Sequence, residues 1–194
     1  AVLTGVLLAF NLPSNIDLWI VVLGALVAIG IGKMAFGGLG ANIFNPALTG
    51  RIFLLIAYPV QMTTWPVSGE MSYLDAQTGA TPLSLFARWA NGDTAALNEL
   101  PDALNMLVGA TGGSLGEVCA IALLIGFVYM LVRKTITWHT PVAIFVSAFV
   151  MALICYDFDF NLAVMQLLSG GLMLGAIFMA TDYVTSPMTT RGML

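Results

Sequence analysis

Apolar runs of spanning or near-spanning length alternate with short polar segments along most of the chain. Residues 1–10 read as the visible end of an apolar helix, closed by a turn at Asn11-Leu12-Pro13-Ser14-Asn15. Residues 17–33 form an apolar run of spanning length, in which Gly24, Gly30 and Gly32 allow close helix packing. Residues 52–62 complete another span together with the residues before Arg51. Three further spans follow at 115–132, 141–156 and 162–180.

Two polar or glycine-rich intervals interrupt this rhythm. In residues 36–51, Gly37, Gly38 and Gly40 break the helix, and Asn45-Pro46 can start another. Irregular backbone at membrane depth is tolerated only where it is buried in protein or lines a cavity, and broken helices mark the site in transporter folds. The alternative is an ordinary glycine-rich connection at the membrane surface. The longer interval, residues 63–113, is expected to be an extramembrane loop with a turn at Asn91-Gly92-Asp93. Thr81-Pro82 is a helix start, a Thr N-cap followed by Pro at the first helical position, with Leu83, Phe86 and Trp89 or Ala90 on one face. Ser114 and Glu117 have capping-box spacing, so Glu117 is expected to cap the next helix rather than bind an ion. A faint repeat links residues 44–51 with 185–192, suggesting a duplicated architecture.

Composition sharpens the picture. Of 194 residues, 59% are hydrophobic and 8% charged, with mean hydropathy +0.96; soluble domains carry about 25% charged residues. The expected fold class is an all-α integral membrane protein, a multi-span bundle in one transmembrane domain over residues 1–194, with a broken or re-entrant Gly-rich segment and a polar outer loop. Both ends look cut, so the domain reads as a fragment of a longer polytopic protein. The net charge of −4 and the lack of a basic patch give no support for nucleic-acid binding. Cys119 and Cys155 form no C-x-x-C pair and read as small core residues. Trp138 and His139 read as interface-belt residues.

Charge also orients the chain. With polar loops on alternating sides, Lys33, Arg51, Arg133, Lys134 and Arg191 fall on one side and Arg88 on the other. The positive-inside rule makes the first side cytoplasmic and puts the interval carrying Thr81 on the outer face.

The candidate chemistry lies in Asp75-Ala76-Gln77-Thr78-Gly79-Ala80-Thr81. Its pattern, Asp-x-x-[Ser/Thr]-Gly-Ala-Thr, resembles the site at which a flavin transferase esterifies FMN, through its phosphate, onto the last threonine, here Thr81. A helix N-terminus favours an anionic phosphoester, but by only about 0.3–1 kcal/mol. A covalent bond would therefore be what retains the flavin. Several stretches converge on one family. Phe36-Gly37-Gly38-Leu39-Gly40-Ala41-Asn42-Ile43-Phe44-Asn45-Pro46-Ala47, Tyr58-Pro59-Val60-Gln61-Met62-Thr63-Thr64-Trp65, Gly112-Gly113-Ser114-Leu115-Gly116-Glu117 and Thr181-Asp182-x-Val184-Thr185-Ser186-Pro187 resemble, in order, the family of RnfD, the D-type component of the Rnf ion-translocating electron transport complex. The B-type component of the sodium-pumping NADH:quinone reductase shares the scaffold and is the alternative branch. Tyr183 departs from the family, which more often has proline there.

The resemblance implies a flavin-carrying component of a membrane complex that couples electron transfer between ferredoxin and NAD to transport of sodium ions or protons. Thr81 would carry the FMN, with Asp75, Thr78, Gly79 and Ala80 as the attachment motif. A second, non-covalent flavin such as riboflavin is expected, with Gly37, Gly38, Asn42, Asn45, Pro46 and Asp182 as a candidate flavin or ion scaffold. The implied partners are flavin- and iron–sulfur-bearing subunits, a flavin transferase for maturation, and lipid. The chain itself has no cluster-ligand spacing, no nucleotide fingerprint and no nucleophile–base pair, which suits a carrier. Two rivals remain: a pore of the aquaporin type, suggested by Asn45-Pro46-Ala47 but lacking its second copy at Ser186-Pro187-Met188, and a flavin-free secondary transporter.

Overall fold

The computed structural model describes residues 1–38, 40–66, 79–109, 111–187, 189, 192 and 193. Among these the regular elements are all helical. Helix α1 spans Val2–Phe10; α2, Leu18–Leu26, continues as the π-helical turns Val27–Met34; α3 is Pro46–Ala57 and α4 Pro59–Thr63. The second part contains α5 (Pro82–Ala90), a 3-10 turn Thr94–Glu99, α6 (Ala103–Val108), α7 (Ala120–Val132), α8 (His139–Cys155), α9 (Phe160–Leu168) and α10 (Leu172–Leu174), the last running into a π-helical turn, Gly175–Met179.

Local chemistry accounts for the element starts that matter to function. Gly37 and Gly38 turn the chain after the first π-helical stretch with φ of 109° and 91°, a region that side chains other than Gly rarely occupy. Asn45 then N-caps α3, its side chain accepting from Ala47 N at 3.0 Å, with Pro46 at the first helical position. The expected break and restart of this segment are therefore present. Glycines draw α2 and α3 together: a Cβ at Gly50 would lie 2.9 Å from Ala28 Cβ, and one at Gly24 2.5 Å from Leu54 Cδ1. Gly32 likewise abuts Pro46 Cα at 3.2 Å, whereas Gly30 has nothing within 4 Å and takes no part in the packing.

Two buried clusters form the interior. Leu8, Leu12, Ile20, Ala28, Ala47, Leu54, Met62 and Met179 join α1–α4 to the last π-helical turn, and Ala120, Leu123, Met173, Leu174 and Ile177 join α7 to α10. The exterior is apolar too: Leu18 and Leu26 on α2, Ile56 on α3, Val132 on α7 and Ile154 on α8 are all exposed. A soluble monomer rarely presents such surface. Among the described residues no single helix is long and apolar enough to cross a membrane alone. The 17 residues of α8 rise about 26 Å against a hydrocarbon core of about 30 Å.

Two expected spans are corrected. The run at 162–180 is not one helix: Phe160–Leu168 and Leu172–Met179 are bent by 68° about Ser169-Gly170-Gly171, where Gly170 has φ of 66°. The run at 115–132 begins as a helix only at Ala120. Its earlier amides are committed elsewhere, Leu115 N donating to Leu12 O at 3.3 Å and Gly116 N to Phe10 O at 2.9 Å. The expected capping box of Ser114 and Glu117 fails with it. Glu117 N donates to the backbone oxygen of Ser114, and the buried Ser114 hydroxyl has no hydrogen-bond partner among the described residues.

Candidate functional site

Thr81 sits where the sequence places a helix start. Its Oγ1 accepts from Ser84 N at 3.2 Å, Ser84 Oγ donates to Thr81 O at 2.8 Å, and Pro82 opens α5. The buried face of α5 differs from expectation: Leu85 and Phe86 are buried and Leu83 is exposed. Phe86 and Trp89 pack instead on Tyr156 beyond the end of α8, with ring centroids 5.4 and 5.1 Å apart. The far end of α5 is tied by Arg88, which contacts Asp93 at 2.7 Å and Glu99 at 3.1 Å. The hydrogen bond to Asp93, then the charge of Glu99, raises the Arg88 pKa, so it stays cationic. Thr81 itself is half-buried, with a neighbouring exposed Ala80. Gly79 N donates to Trp65 O at 3.1 Å, holding the motif's end against the end of the preceding segment. Asp75 and Thr78 lie outside the described residues.

Thr81 lines a pocket of about 100 Å³ whose other walls include Arg51, Gly112, Gly113, Glu117 and the bend at Ser169–Gly171. Arg51 comes from the middle of α3. Its Nη1 donates to Asn11 Oδ1 at 2.8 Å and lies 3.4 Å from Glu117 Oε1. Glu117 is almost wholly buried, its side chain 8% exposed against 29% for Arg51. Pairing is what makes both charges tolerable there. The bend is part of the fit: a Cβ at Gly171 would lie 2.6 Å from Glu117 Oε1 and 3.3 Å from Arg51 Nη1.

This geometry corrects two readings. Arg51 does not belong with Lys33 at the opposite end of the bundle; it reaches the pocket lined by Thr81. Glu117 is an ion-pair partner, not a cap. The signal for both was available in the residues, since an arginine inside an apolar helix and a carboxylate at the mouth of another each demand a partner. Their pairing across 66 positions was not. The charge asymmetry survives without Arg51: Lys33 and Thr135, the latter next to Lys134, line one cleft, while Arg88 lies on α5 with Thr81.

That second cleft, about 370 Å³, gathers Lys33, Asn42, Asn45, Pro46 and Asp182. Asn45 Nδ2 donates to Met179 O at 3.4 Å, joining the start of α3 to the end of the second π-helical turn. Asn42 is buried, its Nδ2 donating to Phe44 O at 3.2 Å. Gly37 and Gly38 shape the approach without lining the cleft. Tyr183, the departure from the family pattern, donates its hydroxyl to Thr135 O at the same cleft. Both π-helical stretches precede a polar, proline-containing segment, an echo of the repeat expected from sequence, although the second copy lies partly outside the described residues. Cys119 and Cys155 are both free thiols, and among the described residues no group of three or more His, Cys, Asp or Glu could hold a metal.

Fold and site together define an apolar, all-helical chain of broken helices with two polar clefts, one holding Arg51 and Glu117 and the other Lys33, Asn42, Asn45 and Asp182. The chain belongs to the NQR2, RnfD, RnfE family, whose model matches residues 1–194. It is 42% identical over 196 residues to the D-type component of the Na(+)-translocating ferredoxin:NAD(+) oxidoreductase complex of Acetobacterium woodii, covering all of this chain and 58% of that protein. It is 38% identical over 207 residues to the D-type component of the proton-translocating ferredoxin:NAD(+) oxidoreductase complex of Clostridium ljungdahlii, covering all of this chain and 60% of that one. The D-type component of an ion-translocating oxidoreductase complex from Stutzerimonas stutzeri is 38% identical over 219 residues, with 62% of its length covered. The chain thus spans about three-fifths of the length of these curated relatives.

Proposed function

We infer that the chain is the flavin-bearing membrane part of an RnfD-type component of an ion-translocating ferredoxin:NAD oxidoreductase complex. In this reading FMN is esterified through its phosphate to Thr81. The observation that carries it is the position of Thr81, partly exposed at the N-cap of α5 and lining a pocket that also holds Arg51. An outside enzyme can reach it, and a cation and a helix N-terminus await the phosphodiester.

The residues present fit such a group. Forming the ester needs an activated flavin pyrophosphate: Thr81 Oγ1 attacks phosphorus, the P–O–P bond breaks, the nucleotide leaves with the bonding pair, and the hydroxyl proton passes to the transferase. When bound, the flavin supplies one- and two-electron redox chemistry. The chain's share is to hold the phosphodiester beside Arg51 and to orient what is attached. Partner subunits with flavins and iron–sulfur centres would pass electrons to and from it, driving Na+ or H+ transport. Relatives named for each ion share this scaffold, so the scaffold by itself does not dictate the ion.

The cleft of Asn42, Asn45, Pro46 and Asp182 is where a second, non-covalent flavin would bind. Its volume of about 370 Å³ lies within the usual range for small-molecule sites, about 300–1,000 Å³, and amides, a carboxylate and Lys33 offer both donors and acceptors. The asymmetry of Lys33 and Lys134 against Arg88 supports a cytoplasmic position for this cleft and an outer one for Thr81.

The testing experiment is in-gel ultraviolet fluorescence of the denatured full-length protein, from cells possessing the flavin transferase, followed by mass mapping around Thr81. A fluorescent band with one FMN phosphoester on Thr81 is expected. A dark band would remove the redox reading and leave transport as the better account.

A further inference from the structure

The pocket at Thr81 is too small for a whole flavin. At about 100 Å³ it has room for a phosphoryl group but not for a three-ring heterocycle. Beside it lies a groove of about 450 Å³ between α5, α8 and the α9–α10 bend. The two share walls: Leu83, Ser169, Gly170 and Gly171 line both. Leu83, two residues after Thr81, stands at the threshold, its Cδ2 3.2 Å from where a Gly170 Cβ would be.

Resting on the flavin reading above, we propose that pocket and groove form one bipartite flavin site, with the phosphodiester beside Arg51 and the isoalloxazine ring in the groove. The groove suits a flat amphipathic ring. One wall is apolar, from Ala148, Met151 and Leu172. The other carries Tyr156 and Gln166, whose Tyr156 hydroxyl donates to Gln166 Oε1 at 3.1 Å. That bond uses the amide oxygen and leaves the Gln166 Nε2 donors for a ring carbonyl. Tyr156 packs on Phe86 and Trp89, which fix its place in the wall. At the pocket end, the hydrogen bonds described for Arg51 use Nη1 alone, leaving Nε and Nη2 for phosphate oxygens. The bend at Gly170-Gly171 is thereby given a purpose: it opens the passage along which the ribityl chain runs from one compartment to the other.

Cys155, exposed and lining the groove, is a built-in reporter, and half-buried Cys119 is its internal reference. Alkylation by iodoacetamide is followed by mass spectrometry on the full-length chain in detergent micelles, flavin-loaded or as Thr81→Ala. Flavin loading is expected to slow alkylation at Cys155 at least about ten-fold and leave Cys119 unchanged. A second variant, Met151→Trp, fills the groove from an exposed position. It should keep the ester yet lower the fluorescence anisotropy of the attached flavin. Equal Cys155 rates in two samples of verified flavin content, or unaltered anisotropy in Met151→Trp, would overturn the placement while leaving flavin on Thr81 intact. A wild-type chain without flavin on Thr81 would overturn the underlying reading and the placement with it.

Discussion

Arg51 on α3 and Glu117 ahead of α7 meet at 3.4 Å, and both line the pocket that holds Thr81. Charged groups in an apolar bundle persist only when each has a partner, and the energetic signature of such a pair lies in its disruption. Replacing one member leaves the other buried and uncompensated at about 3–5 kcal/mol, while replacing both with apolar residues can be close to neutral. Arg51→Met should therefore lower the thermal midpoint of the detergent-solubilised protein by of order 10 °C, because Glu117, only 8% exposed, is the member left unpaired. The double variant Arg51→Met/Glu117→Leu should recover much of that loss. Additive losses in the double variant would mean that the two side chains do not form a coupled pair.

Gly171 in the bend and Gly30 in the first π-helical stretch are unequal in what they permit. A methyl at Gly171 would approach Glu117 Oε1 to 2.6 Å, whereas one at Gly30 meets nothing within 4 Å. Gly171→Ala should cost about 1–3 kcal/mol by overpacking against the ion pair. Gly30→Ala, in a helical stretch, should be neutral or slightly stabilising. Thermal midpoints of the two variants in the same detergent make the comparison, and a harmless Gly171→Ala would argue that the bend does not press on Glu117.

These contrasts show what was legible in the chain. Asn45-Pro46 and Thr81-Pro82 both start helices because capping is local: the N-cap oxygen finds an amide two or three residues on, and proline fills a position needing no donor. The bend at Ser169-Gly170-Gly171 was hidden inside a run whose average hydropathy suits an unbroken span, although Gly-Gly is itself a breaking signal. Ser114 and Glu117 had the spacing of a capping box, and a long-range contact overrode it, since the amides that would open the helix pair with Phe10 and Leu12. Local grammar reads the start of α5 at Thr81; what surrounds Thr81 comes from segments far away in the chain and is settled only by packing.

Thr81 separates capping from attachment. Thr81→Ser retains a hydroxyl that can accept from Ser84 N, and Thr81→Ala removes it. Thr81→Ala should lose covalent flavin entirely and about 1 kcal/mol of helix stability, with membrane insertion unchanged. Thr81→Ser should keep the stability, and flavin content on the denatured band then reports whether the transferase needs the methyl group. Flavin persisting in Thr81→Ala would place the ester on another residue.

The orientation proposed for the two clefts rests on which ends carry positive charge. With Cys119 and Cys155 replaced by alanine, a cysteine at Asn91, in the turn after α5, should be labelled by a membrane-impermeant maleimide in intact spheroplasts. A cysteine at Lys134, where φ is 53° in the turn after α7, should react only once the membrane is opened. The sign follows from the positive-inside rule, in which short loops rich in Lys and Arg stay cytoplasmic. Replacing Lys134 removes one of those charges, so Thr135→Cys serves as a control that leaves the charge count unchanged. Labelling of position 135 from outside, together with protection of position 91, would invert the assignment and put Thr81 at the cytoplasmic surface. Protection of both positions in intact cells would require the segment between α3 and α7 to be covered by a partner protein.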